Sequence, residues 1–204
     1  MRARSAIRRE DVVKAAFAVV RAHGAERLSA RSIAKELKSS TMPIYSCFES
    51  MRSLEEEILR KSFELLSNYQ TTPRTGDIFL DMGVGYVLFA KKEKHLFALI
   101  NAEKNRRLRD SYHERNFQFL IQKLSGYPLV RGLPEKEIRR FFLQGWIYSH
   151  GLAELVRSSF FKKTGEEEII ELLTYTGMRY IEGFKKLLKK RKTKRSSGFP
   201  PSRE

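Results

Sequence analysis

Apolar residues in this chain recur every three or four positions almost from end to end, and nowhere do they alternate with polar residues in a sustained period-two run. That spacing buries one face of a helix and leaves no segment from which to build a sheet, so the expected fold class is all-α. Between Arg9 and His23, the residues Val12, Ala16, Val19 and Val20, with Phe17, mark a buried face, and Gly24 supplies a C-terminal stop. A second helix of about nine residues follows a cap at Ser29, with Ile33, Ala34 and Leu37 as its stripe. A third, of about seven residues, begins after Ser40, whose hydroxyl is placed to cap the amides of Thr41, Met42 and Pro43. Proline is tolerated there because first-turn amides have no intrahelical acceptor. Ile44, Tyr45 and Phe48 supply the apolar contacts of this third helix.

Beyond Ser50 the periodic segments lengthen, to roughly 51–68, 77–93, 107–125, 135–160 and 165–190. Phe117, Leu120, Ile121 and Leu124 are an example of the recurrence. Breaks fall at 71–76, around Gly126-Tyr127-Pro128 and Gly132-Leu133-Pro134, and at 162–165. Glu166, Glu167 and Glu168 suit the positive end of the last helix, and Lys185, Lys186, Lys189 and Lys190 its negative end. No fixed-period repeat is present.

Charge narrows the partners. The 204 residues carry 40 Lys and Arg against 24 Asp and Glu, a net +16 that points to nucleic acid or an anionic membrane surface. The excess is uneven: residues 1–50 hold a net +5, 51–184 a net +3 and 185–204 a net +8. The nearly neutral middle suits a packed body, and residues 191–204 are expected to be a basic, disordered tail. No run of apolar residues is long enough to span a membrane, and the basic opening lacks the apolar stretch of a secretory signal. Cys47 is the single cysteine, so a reducing, cytoplasmic setting is expected, with neither disulfide nor thiolate metal cluster.

Three short helices, the last two joined by Lys38-Ser39, have the lengths of a trihelical helix-turn-helix. The run Leu28-Ser29-Ala30-Arg31-Ser32-Ile33-Ala34-Lys35-Glu36-Leu37-Lys38-Ser39-Ser40-Thr41-Met42-Pro43-Ile44-Tyr45-Ser46-Cys47-Phe48, continued to Leu54, resembles the signature of the TetR family of transcriptional regulators, with Ala15-Ala16 and His23-Gly24-Ala25 in the expected places upstream. The resemblance implies a DNA-binding domain at 1–50 and an all-α bundle at 51–190 for dimerisation and effector binding. It implies that Arg31 reaches a base edge, that Thr41, Pro43 and Ser46 face the major groove, and that Tyr45 bonds a phosphate; the alternative for Tyr45 is a half-buried core residue, and Ser40 and Met42 are counted with the DNA-binding residues beside them. Two positions depart from the family. Lys38 stands for the usual turn glycine, so the turn either avoids positive φ or carries strain. Met51 replaces a phosphate-binding lysine, and Arg52 lies about 100° away on the helix. Arg2, Arg4, Arg8 and Arg9 are either a DNA-following arm or a solvated end.

In the body, Gly145-Trp146-Ile147-Tyr148-Ser149-His150-Gly151 resembles the Trp-x-x-x-His-Gly signature of the WHG type of TetR-family C-terminal domain. Trp146 and His150 share a helix face, while Gly145 and Gly151 permit close helix approach. One reading sets Trp146 and His150 on the wall of an effector pocket with Phe89, Phe97, Phe117 and Tyr148 around it. The other makes Trp146 a core filler and gives His150 one buried hydrogen bond. His150 and Glu154 lack a third ligand for a metal. His23, His95, His113 and His150 are scattered without a nucleophile elbow or phosphate loop, so neither an enzyme nor a cofactor is expected. The expected function is a dimeric repressor, paired through its last two long helices, that a small molecule releases from a palindromic operator. The alternative is a basic helical protein that binds membrane surfaces or nucleic acid non-specifically through its C-terminal tail.

Overall fold

The protein is described by a computed structural model over residues 7–196, apart from 159, 162 and 163. Within those residues every regular element is helical: α1 (Arg9–His23), α2 (Ala30–Glu36), α3 (Met42–Cys47), α4 (Met51–Thr71), α5 (Ile78–Lys92), α6 (Lys94–Asn101), α7 (Arg106–Leu124), α8 (Glu135–Arg157) and α9 (Glu166–Ser196). The all-helical expectation therefore holds, and no helix among the described residues is long and apolar enough to cross a membrane.

Several boundaries follow from local chemistry. Gly24 ends α1 at φ 91°, a conformation that costs a Cβ-free residue little. Ser29 caps α2, its hydroxyl accepting from the Ser32 amide at 3.1 Å. Asp77 caps α5 by accepting from the amides of Phe79 and Leu80 at 2.9 and 3.0 Å, and its other oxygen accepts from the Tyr127 hydroxyl at 2.8 Å. Asp81, buried one turn later, accepts from the amides of Arg74 and Thr75 and from the Thr75 hydroxyl, fixing the loop between α4 and α5.

Other boundaries correct the sequence reading. Helices α2 and α3 are shorter than expected, at 7 and 6 residues. Thr41, not Ser40, is the N-cap of α3, and it makes no side-chain cap bond; the Ser40 carbonyl instead accepts from the Ser39 hydroxyl at 2.8 Å. Helix α6 was not anticipated. Helix α9 runs on to Ser196 instead of ending near 190, because lysine and arginine are good helix formers and complement the negative end of the dipole. Residues 197–204 of the expected tail lie outside the described residues.

Helix α5 is buried on almost every side and packs against α4, α6, α8 and α9. A Cβ placed on Gly85 would lie 2.0 Å from the Tyr69 carbonyl oxygen, so α5 meets the backbone of α4 at a point only glycine allows. One core cluster runs from Val12, Ala16 and Val20 through Ile33, Ile44 and Phe48 to Leu54, Ile58, Leu96 and Leu152. It is continuous across residue 50. A second cluster gathers Met82, Leu120, Leu124, Phe141, Phe142 and Phe184, and Trp146 packs against both. Fully burying each such Leu, Ile or Phe side chain contributes about 1.5–3 kcal/mol.

Candidate functional site

Two regions combine sequence signals with suitable geometry: the surface around α3, and a cavity in the body. The turn before α3 rests on Lys38, the only non-glycine at positive φ (51°) among the described residues. Its amide donates to the Lys35 carbonyl at 3.1 Å and the Ser39 amide to the Ala34 carbonyl at 2.9 Å. That pair of bonds is a Schellman ending, which normally takes glycine at the left-handed position. Lys38 thus adopts the positive φ that such an ending usually gives to glycine and carries about 1 kcal/mol of strain.

Helix α3 buries Ile44 and, just past its end, Phe48. Its other face is open: Met42 is 70% and Tyr45 61% exposed. Tyr45 is therefore not a core tyrosine. Ser40, Ser46 and Arg31 are also exposed, while Thr41 and Pro43 are half-buried. The Ser46 hydroxyl donates back to the Met42 carbonyl at 3.0 Å, which leaves its oxygen able to accept. Of the expected basic arm, Arg2 and Arg4 lie outside the described residues. Arg9 is not free: its guanidinium sits 4.5 Å over the Phe48 ring and 3.7 Å from Glu57 of α4. Met51 packs against the core, and Arg52 pairs with Glu56 at 3.1 Å.

The body holds a cavity of about 950 Å³ between α4, α5, α7 and α8, whose wall includes Phe117, Trp146 and His150. A smaller one of about 370 Å³ lies toward α9 and is lined in part by Tyr148. Tyr86 and Trp146 belong to both walls. The Tyr86 hydroxyl lies 2.8 Å from His150 Nδ1. Burial raises the Tyr86 pKa and keeps the hydroxyl protonated, and the two groups share one hydrogen bond whose direction follows the histidine tautomer. His150 thus combines the two readings of its residue: it has one buried hydrogen bond and also faces the cavity.

The remaining aromatic candidates divide. Phe117 lines the larger cavity, edge-on to Phe142 at 4.6 Å. Phe89 and Phe97 line neither cavity and are core residues, 0% and 1% exposed. Phe97 backs the site by packing 6.1 Å from the His150 ring. Close approach is likewise confined to one of the two expected glycines: a Cβ on Gly145 would meet the Phe79 ring at 2.5 Å, whereas nothing lies within 4 Å of one on Gly151.

His113 is the wall residue that sequence reasoning missed. Its ring lies 5.9 Å from Trp146 and 5.2 Å from Phe63. Burial foremost, then the Arg109 charge, push its pKa down to about 4, so the ring is neutral at physiological pH. Gln70, buried, accepts from Asn116 at 3.1 Å across the cavity wall. Glu154, the other residue weighed for a metal, pairs with Arg157 at 2.7 Å, and no cluster of three metal-ligating side chains occurs among the described residues. No family model matches the chain, and no curated protein matches it.

Proposed function

We propose that the protein is a TetR-type transcriptional regulator that binds DNA as a homodimer and responds to a small molecule in its body, acting in the cytoplasm as a repressor. The exposure of α3 carries this reading. A six-residue helix that leaves Met42 and Tyr45 open to solvent, after a turn held at positive φ, spends stability on presenting a surface. Small and hydroxyl-bearing residues around it can approach base edges and phosphates, and Arg31 offers the bidentate donor that guanine accepts.

Further observations support the dimer. Ile147 and Leu155 on α8 and Tyr175 and Met178 on α9 are exposed apolar residues, and Gly151 lies between the first two at four-residue spacing. Paired long helices would cover them as a four-helix bundle. The effector acts from the cavity, whose wall includes Gln70 of α4, while Arg21 of α1 is tied to buried Glu93 at the start of α6. A shift of α4 or α6 therefore moves the N-terminal helices, and two recognition helices must stand about 34–36 Å apart to enter successive major grooves.

Selection from a randomised DNA pool with the purified chain tests the reading: a two-fold-symmetric site is the expected product, and its absence refutes it. One observation favours the alternative. The end of α9 exposes Leu187 among Lys185, Lys186 and Lys190, a stripe suited to an anionic surface. Sedimentation with anionic vesicles that disappears on deleting residues 189–204 would support that reading.

A further inference from the structure

The larger cavity changes character between its buried and exposed walls. Its buried side is mainly apolar, formed by Leu66, Leu120 and Phe142 with the half-buried rings of Phe117 and Trp146 beside them, and its one buried amide, Gln70, is paired with Asn116. His113 on this wall is held neutral by burial and adds no fixed charge, and His150 Nδ1 pairs with the Tyr86 hydroxyl at 2.8 Å.

The cavity's carboxylates all stand on its exposed rim, and its charged side chains run from that rim in to half-buried Arg109. Glu114 is held by both terminal nitrogens of Arg139, at 3.0 and 3.2 Å, and Asp110 lies 3.4 Å from the Arg109 Nε. Arg140 and Lys136 also line the rim, and neither makes an ion pair among the described residues. The remaining carboxylate, Glu135, stands in the first turn of α8, where the helix dipole favours it, and its charge acts on Arg139. A cationic ligand would find no buried carboxylate inside, and two uncommitted cations against one carboxylate outside.

We propose that this cavity binds an amphipathic organic anion, its apolar body against Trp146 and Phe117 and its terminal carboxylate at Arg140 and Lys136. The proposal rests on reading the cavity as the effector site, and gives that site its ligand class. The guanidinium offers the carboxylate a paired hydrogen bond and the ammonium a point charge, and the apolar wall behind them orients the chain inward.

Trp146 is the only tryptophan in the sequence and reports occupancy directly. The full chain is titrated at neutral pH with phenylbutyrate, phenylbutanol and phenylbutylamine, which share one body and differ in charge. The expected result is a change in Trp146 emission, with phenylbutyrate binding at least about tenfold more tightly than the other two. The double substitution Arg140→Gln and Lys136→Gln, on exposed positions, removes that advantage and leaves phenylbutanol binding unchanged. Replacing phenylbutyrate with decanoate and finding the same charge dependence supports the same ligand class with an aliphatic body. Equal binding of all three, preference for the amine, an advantage that survives the double substitution, or no response at about 1 mM overturns the proposal. No DNA enters the titration. A chain that selects a DNA site but shows no charge preference overturns this inference alone, whereas anion preference without DNA selection defeats the regulator reading and keeps the ligand class.

Discussion

Replacing Gly85 with alanine introduces a Cβ 2.0 Å from the Tyr69 carbonyl oxygen, 2.5 Å from its carbon and 2.8 Å from the Gln70 Cα. All three are backbone atoms of α4, so no side chain can rotate away. Reaching even a tight 3.0 Å contact requires α4 and α5 to part by about 1 Å. A gap of about 0.5–1 Å forfeits a quarter to a half of each dispersion contact it crosses, and Leu66 of α4 and Val84 and Leu88 of α5 are buried in one core cluster. Overpacking of this kind costs about 1–3 kcal/mol or more, offset by about 1 kcal/mol of improved helix propensity. With only backbone atoms in the way, the upper end of that range applies and the expected net loss is about 2 kcal/mol, a fall in Tm of about 4–8 °C for a chain of this size. Circular dichroism at increasing urea, with thermal melts, measures it. Gly183→Ala is the companion: nothing lies within 4 Å of its added Cβ, and it should gain up to about 1 kcal/mol. If Gly85→Ala matched Gly183→Ala in stability, the close backbone contact inferred for α4 and α5 would be wrong.

Three further substitutions probe other parts of the argument. His113, at about 4 in the fold against about 6.5 unfolded, binds its proton more readily in the unfolded chain, so stability falls as pH drops from about 6.5 to about 4, by up to about 3 kcal/mol. His113→Phe should flatten urea midpoints across that window, and an unchanged slope would show that other groups cause it. Lys38→Gly relieves the left-handed strain and should raise stability by up to about 0.6 kcal/mol after glycine's entropy is counted, as a Tm shift would record. Arg21→Ala leaves the Glu93 carboxylate, 2% exposed, with only the Tyr69 hydroxyl at 3.3 Å, and should cost about 3 kcal/mol in urea unfolding; restoration by the second change Glu93→Gln would identify the stranded charge as the cause.

Much of the fold was legible because helix ends are written in local chemistry. Gly24, Ser29 and the acidic start of α9 act within one turn of their own position, and the apolar spacing located eight of the nine α-helices among the described residues. Helix α6 escaped because its apolar residues, Leu96, Phe97, Leu99 and Ile100, form a short run behind lysines, with no side-chain cap to announce a start. The α3 surface was legible for the same local reason, since every residue in it lies within one turn and one short helix. The cavity was not. His113 lines it through the packing of α7 against α4 and α8, and no spacing within α7 distinguishes that histidine from a solvated one. Phe89 and Phe97 show the converse, since an aromatic near the correct helix becomes wall or core according to contacts made far away in the chain. Gly85 and Gly151 look alike as letters inside helices, yet one meets a neighbouring backbone and the other open space.

The core that passes unbroken from α1 and α3 into α4 and α6 bears on how this chain could be rebuilt. Leu54 and Ile58 are 0% exposed within the cluster that also holds Val12 and Ile44, and Arg9 lies over Phe48 while reaching Glu57. Cutting after residue 50 would strip the first three helices of their floor and bare the apolar face of the fourth. A chimera that transplants this head onto another body should therefore carry with it both the α4 face and the α6 face that packs on α1.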